Sequence, residues 1–400
     1  VAETLDYAGY VGRGYTLANR AGSTVIIDGV EYVQLYNNIY GVYTVNGAYA
    51  VNSAADLKAL ANLVNAGTSF EGVEVVLTAD IDLKNENWTP IGYWTTFNGT
   101  FDGQKHTISN LKHHGTEEDC YVGLFGYANN ATIKNLVVEN VDINIACLDI
   151  DHSQGHIGAI AGSLEGTSTI ENVTVKGDIK VEATQDANGA SRVAVVAGGN
   201  SYGNVTMKNV HVIANEGSYL IANNNTGALA GQLQGKMVFE NCSSNIDVTV
   251  NKFFAGGIIG LAAGDQIFTN CHTKGDVEIL AGREGRANDH YRVGGIAGGW
   301  SDGAKNVCTL VNCSYTGEVS GKNSDGSVAW ALDYAGYVGR GYTLNGCQGS
   351  KVVIDGVEYV QAYNTAAEAG VYIVNGYYEI ATVASLKTFA AKVNAGDTFE

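Results

Sequence analysis

Apolar positions along this chain come in short bursts, and the bursts end on glycine. "YVGLFGY" (Tyr121–Tyr127), "HIGAIAGS" (His156–Ser163) and "RVAVVAGG" (Arg192–Gly199) close on Gly126, Gly162 and Gly198. "TGALAGQ" (Thr226–Gln232), "AGGIIGL" (Ala255–Leu261) and "VGGIAGG" (Val293–Gly299) close on Gly231, Gly260 and Gly298. Nine to fourteen residues after each glycine stands an asparagine. An alternating run such as "VTVKGDIKV" or "CHTKGDVEI" follows, with the period of two expected of a strand that buries one face. Strands this short, joined by Gly and Asn corners without helices, cannot build a βαβ sheet. They can wind into a solenoid, each coil ~4.8 Å above the last. The pattern therefore predicts an all-β fold, a right-handed parallel β-helix, in which equivalent residues of successive coils form columns. Asn110, Asn135, Asn172, Asn209, Asn241, Asn270 and Asn312 are expected to form one column, an asparagine ladder. A side-chain amide both donates and accepts, so stacked amides satisfy one another. Leu111, Leu136, Val173, Val210, Cys242, Cys271 and Cys313 form the next, an inward apolar stack.

The period changes near the start of the chain. Ser53 can cap a helix with Asp56 three places on, Leu57, Leu60, Ala61 and Val64 share one face, and Gly67 is a natural stop. A solenoid needs its end covered, so this is read as a capping helix. Asp28-Gly29 and Asn46-Gly47 sit between strand-like runs and predict tight hairpins. These features are written twice. "LDYAGYVGRGYTL" occupies Leu5–Leu17 and again Leu332–Leu344, and "IDGVEYVQ" occupies Ile27–Gln34 and again Ile354–Gln361. After a two-residue insertion, Leu386, Phe389, Ala390 and Val393 repeat the helix face. A repeat of this size organises everything else. Residues 1–17 read as the last coil of a preceding unit and 18–52 as a small antiparallel Tyr-rich module. Residues 53–66 read as the capping helix, 67–344 as the β-helix and 345–400 as the start of the next unit. Of 23 tyrosines, eight lie in residues 1–50 and eight in 328–400. Tyrosine brings apolar area with a polar tip, which suits an interface, and Tyr7, Tyr10, Tyr15, Tyr334, Tyr337 and Tyr342 are assigned to an inter-unit joint.

Composition narrows the function. Glycine is 52 of 400 residues with a single proline, Pro90, which speaks for tight turns rather than disorder. A net charge of −18 disfavours nucleic acid and anionic membrane as partners. No apolar run reaches the ~18 residues of a membrane span, so no direct membrane insertion is expected. Seven cysteines leave at least one thiol unpaired within the chain, and neither CxxC nor HExxH occurs. No cofactor is expected.

The recurring Gly-apolar-x-Gly phrase resembles the GLUG motif of bacterial surface proteins and of the accessory regions of immunoglobulin A peptidases. "FNGTFDGQKHTISNL" (Phe97–Leu111) is similar to the opening coil of many parallel β-helix proteins. The resemblance runs over roughly 73–319 and implies a secreted or surface-attached β-helix. It does not imply peptidase activity, because the zinc motif is absent.

Parallel β-helices also carry polysaccharide lyases and hydrolases, which need clustered carboxylates or a basic residue beside a calcium site. Two loops come nearest. "LDIDHSQGH" carries Asp149, Asp151, His152 and His156, and "GREGRANDH" carries Arg283, Arg286, Asp289 and His290. Both precede a glycine phrase and emerge at one corner, a candidate ligand face. They lie about four coils, or ~19 Å, apart, too far for one active site, and each reads first as a solvated loop. Asp102 and His106 in "FDGQKH" read as a structural turn. The expected function is a structural or adhesive repeat of a large extracellular protein, without catalysis. Its partners would be neighbouring units, identical chains, or host or microbial glycans and proteins. The alternatives are a glycan- or protein-binding module using the loop face, and a polysaccharide-degrading enzyme.

Overall fold

The computed structural model describes residues 9–12, 22–27, 30–35, 43–45, 48–117, 121–147, 155–184, 191–280 and 292–300. It also describes 308–311, 313–321, 337–339, 342–345, 349–354, 357–362, 372–374, 377–379 and 383–394. These residues form a parallel β-solenoid. Its longest ladder begins with Ala48–Val51, Glu74–Leu77 and Thr100–Asp102, each parallel to the next. It continues through Thr132–Cys147, Ala161–Ala183, Gly203–Ala214, Met237–Glu240, Gln266–Thr269 and Cys308–Val311. Tyr342–Asn345 adds the next rung. One inward column of this ladder runs Val75, Phe101, Ile133, Ile170, Met207, Phe239, Phe268 and Leu310, all buried. Like residues therefore stack on like, and the Phe239 and Phe268 rings lie parallel with centroids 4.9 Å apart. The glycine phrases build a separate parallel sheet, Tyr121–Val122, His156–Ile157, Arg192–Ala194, Thr226–Gly227, Phe254–Gly256 and Arg292–Gly294.

The corners explain the asparagines. Asn135, Asn172, Asn209, Asn241 and Asn270 all have φ between 52° and 54°, the left-handed region. Ordinary L-residues avoid it, at roughly 1–2 kcal/mol, whereas Asn and Gly enter it readily. One such residue bends a strand sharply without ending it, so Ala161–Ala183 runs on through bends at Gly166, Asn172 and Gly177. The column is bound side chain to side chain. Nδ2 of Asn172, Asn209, Asn241 and Asn270 donates to Oδ1 of the asparagine one coil earlier, at 2.8–3.2 Å. Asn135 donates to Asp102 Oδ1 at 3.0 Å. Every amide points the same way, so the first must meet a pure acceptor, and a carboxylate is one.

Asn110 is not in this column. It donates to Asp82 Oδ1 and accepts from Asn140 Nδ2, at 2.8 and 3.2 Å. It belongs to a second corner, Asp82–Asn110–Asn140, which continues at Gly177. Leu111 accordingly pairs with Val141, not with Leu136. Asn110 looks like the other ladder residues in sequence because both corners demand a left-handed residue. Asn312 lies outside the described residues.

α1 (Ala54–Asn65) is capped by Ser53, whose Oγ accepts from Asp56 N at 3.2 Å, while the Asp56 carboxylate accepts from Asn52 N. Leu57, Leu60, Ala61 and Val64 are buried in one core with Phe70, Val75 and Trp88. Gly67, with φ of 103°, ends the turn. The ladder reaches further toward the N-terminus than residue 67. Ala48–Val51 pairs antiparallel with Tyr43–Val45 on one edge and parallel with Glu74–Leu77 on the other. It is both the end of the hairpin module and the first rung of the solenoid, and α1 is spliced between the first two rungs.

Candidate functional site

The loop-bearing face is built on the glycine phrases. Their last glycines sit where the strand crosses the backbone of the previous coil. A Cβ on Gly162 would stand 2.7 Å from His156 O and Val122 N and 2.8 Å from Gly126 O. Close approach, not backbone conformation, requires glycine there. It draws the phrase tight and stacks the phrases in register, His156 on Tyr121, Arg192 on His156, Thr226 on Val193 and Ala255 on Thr226. Of the candidate ligand face, His156 alone falls among the described residues. Asp149, Asp151, His152, Arg283, Arg286, Asp289 and His290 lie outside them.

His156 is buried, with its ring edge-on to Tyr121 at 5.3 Å. Burial, with the positive Arg192 beside it, pushes its pKa well below the usual histidine value, so it is neutral. Arg192 is buried too and donates to Asn200 O. Burial lowers the guanidinium to about 10, partly offset by the Glu165 carboxylate. Glu165, also buried, accepts from Ser163 Oγ at 3.0 Å, Ser201 N at 2.7 Å and Tyr202 N at 2.9 Å. Burial, with Glu165 adding, raises Tyr127 far above an ordinary phenol. On the next coil Asn225 Nδ2 donates to Gln232 Oε1 at 2.7 Å. Glu165 clamps its coil to the next through Ser201 and Tyr202, while the other bonds brace single coils. An acid–base role would need access to solvent, and His156 and Arg192 are only 2% and 3% exposed. The phrases carry a visible signal for this network, since Arg192 opens "RVAVVAGG" where His156 opens "HIGAIAGS". Glu165 lies beyond the phrase and carries none.

The remaining sequence candidates resolve as follows. Asp102 accepts from Gln104 N, Asn135 and Lys134. Burial raises its pKa, but these hydrogen bonds outweigh that and hold it below the ordinary carboxylate value. His106 pairs instead with Asp80 at 3.1 Å, so the two do not form a dyad. Cys242, Cys271 and Cys313 are buried free thiols. Each donates to the carbonyl of an inward residue one coil earlier, Met207, Phe239 and Phe268, at 3.4–3.5 Å. Among the described residues no His, Cys, Asp and Glu gather into a metal-holding group, and no helix is long and apolar enough to cross a membrane.

Among the described residues, both copies of the duplicated phrase make the same backbone pairing. Gly9–Gly12 pairs antiparallel with Val30–Leu35, Tyr10 opposite Gln34, and the hairpin closes with Gly22–Ile27. Tyr337–Gly339 pairs with Val357–Ala362, Tyr337 opposite Gln361, and that hairpin closes with Gly349–Ile354. Tyr342 lies opposite Cys308 in the long ladder. Tyr7, Tyr15 and Tyr334 lie outside the described residues.

The chain is similar to known proteins over much of this architecture. It is 30% identical to halomucin of Haloquadratum walsbyi over 246 residues, 58% of this chain and 2% of that protein. A crystal structure from Bacteroides ovatus, named as an immunoglobulin A1 protease, superposes with a TM-score of 0.52 at 18% identity. It covers 75% of this chain and 83% of that one, and shares the fold. Residues 52–177, from the start of α1 to the Gly177 corner, match the M26 IgA1-specific metallo-endopeptidase N-terminal region.

Proposed function

We propose that this chain is a non-catalytic structural and adhesive repeat of a large extracellular bacterial protein, secreted or held at the cell surface, whose solenoid units stack end to end. One observation carries the reading. The phrase Leu332–Leu344 does two jobs at once. Tyr342–Asn345 extends the long ladder, and Tyr337–Gly339, which lies against Ala297–Trp300, pairs antiparallel with the hairpin that follows. The last coil and the next module are thus each paired by a strand of the same short phrase. The duplicated joint also lacks the Pro- or Ser-rich composition of a linker. Likeness to the N-terminal region of a peptidase family over residues 52–177 fits a scaffold. A protein of two complete units should appear in single-particle images as a rod about twice the length of one, with a narrow spread of inter-unit angles. Beads at random angles would sink the stacking. Cleavage of pectin-like or glycosaminoglycan polymers by the purified chain would sink the non-catalytic reading.

A further inference from the structure

Trp94 is 64% exposed and Tyr202 57%, the most exposed large apolar side chains among the described residues. Both lie near Tyr127. Tyr121 meets the Tyr127 ring edge-on at 5.3 Å. Tyr202 comes from two coils later, yet its phenol lies close enough to that of Tyr127 to act on its titration. Small residues follow Tyr127 in its column, Ser163 and then Gly199, so no large side chain of that column separates the two tyrosines. On the coil before, Tyr93 and Trp94 pack edge-on at 5.2 Å in the segment 92–97, and Phe97 N donates to Tyr127 O at 3.0 Å. α1 holds that segment in place. Asn65 Oδ1 accepts from Gly92 N and Tyr93 N at 2.8 and 2.9 Å, and Thr95 Oγ1 donates to Val64 O at 2.7 Å. A tryptophan left in water on so fixed a segment gives the fold little packing, and an exposed apolar patch of this kind marks an interaction site. Its fixed placement also spares a ligand the entropy of ordering it.

We propose that Tyr93, Trp94, Tyr121, Tyr127 and Tyr202 form a binding surface for an uncharged polysaccharide. The rings span three coil rises, ~14 Å, enough for a short run of sugar units. The C–H face of a pyranose ring packs on an aromatic face, while its hydroxyls hydrogen-bond with the phenols. Charge selects the class of glycan. Tyrosine and tryptophan bring no charge, and the ionic groups nearby, Glu165 and Arg192, are buried and opposite in sign. A chain of net charge −18 repels a uronate or sulfated polymer, and these rings offer it no cation. A protein is the poorer occupant. Protein interfaces mix methionine and arginine with their aromatic residues, whereas the column between Tyr127 and Tyr202 carries Ser163 and Gly199. The proposal rests on the adhesive half of the reading above and gives it a surface.

Affinity electrophoresis of the 400-residue chain tests this, with a β-glucan, an α-mannan and a galactan in the gel beside polygalacturonate and chondroitin sulfate. At least one neutral polymer should retard the chain, and neither acidic one should. Trp94→Ala and Tyr202→Ala should each weaken retardation at least about tenfold, because each removes a stacking ring. Trp94→Phe, which keeps a ring, should stay within about threefold of the unaltered chain. Both side chains are exposed, so thermal melts of these variants should match the parent and separate lost binding from lost folding. The proposal is overturned if none of the neutral polymers retards the chain, or if retardation survives the Trp94→Ala, Tyr202→Ala double variant. Retention by the acidic polymers alone would overturn it as well. So would capture of a glycoprotein that persists after its glycans are removed and still depends on Trp94, which would give the surface to a protein. Failure here leaves the rod of stacked units to stand or fall by imaging. Cleavage of a polymer that binds through these rings would leave the surface standing and sink the non-catalytic reading.

Discussion

Asn209 sits mid-ladder with φ of 52°, donating to Asn172 and accepting from Asn241. Two separable effects hold it there. Alanine removes both amide bonds and is strained in the left-handed region, so Asn209→Ala should cost about 2–3 kcal/mol. Glycine removes the bonds but accepts the conformation, so Asn209→Gly should cost about 1–2 kcal/mol. Urea unfolding of the two variants reads the difference, and equal losses would mean that backbone conformation plays no part. A second residue-scale effect concerns buried histidines. Burial lowers His211 to about 4 and His272 to about 3, and His156 moves the same way. Unfolded, these groups titrate near ~6.5. Their full contribution is therefore present above that pH. As pH falls, the unfolded chain takes up protons that the folded one refuses, and stability drops from pH ~6.5 toward 4 and 3. The hydrogen-bonded aspartates Asp80, Asp82 and Asp102 have lowered values, so they act below the ordinary carboxylate pKa and leave the upper window to histidine. Thr174 occupies the position paired with His211, so threonine fits the column. His211→Thr with His272→Thr should flatten the fall in melting temperature between pH 6.5 and 4.5. An unchanged slope would count against burial as its cause.

The glycine phrase is the element that makes this solenoid. In Gly231 a Cβ would stand 2.5 Å from Gly198 O and Val193 N, both backbone atoms of the previous coil. Backbone of a central sheet cannot retreat without breaking its own ladder. Gly231→Ala should therefore cost more than about 2 kcal/mol. Gly217 is the control. It has φ of 83° and nothing within 4 Å of a built Cβ, so its alanine variant should lose only about 1 kcal/mol, from conformation alone. Parallel thermal melts of the two decide it, and a reversed order would show that close approach is not what the phrase is for.

For the whole molecule the governing quantity is the joint's stiffness. Tyr337 and Tyr342 lie in strand segments that tie the last coil to the module beyond it. Replacing Tyr334, Tyr337 and Tyr342 by serine in a two-unit protein should widen the inter-unit angle distribution and leave the solenoids folded, as read from small-angle scattering beside circular dichroism. A rod of unaltered stiffness would place the joint's strength in its backbone pairing and not in its tyrosines. The charge of −18 makes neighbouring chains repel one another, which salt screens over ~8–10 Å.

The chain's own letters determined the solenoid, the asparagine corners, α1 with its Ser53 cap and the duplicated phrase. Each rests on a local demand that few residues meet: a left-handed φ takes Asn or Gly, a helix N-terminus takes Ser, a crossing of backbones takes Gly. Which column each corner belongs to was decided only in three dimensions. Asn110 and Asn135 obey the same local rule, and they fall in two ladders because each coil turns twice, at Asp102 and Asn110 on one coil and at Asn135 and Asn140 on the next. Asp82 and Asp102 became ladder ends for a related reason, since an acceptor is needed only where a stack of amides begins. The buried Glu165–Arg192–His156 network was likewise invisible as a set. Arg192 lies one coil beyond His156 and Glu165, and its proximity to them depends on coil lengths that successive ladder asparagines, 37, 37, 32 and 29 residues apart, do not hold constant.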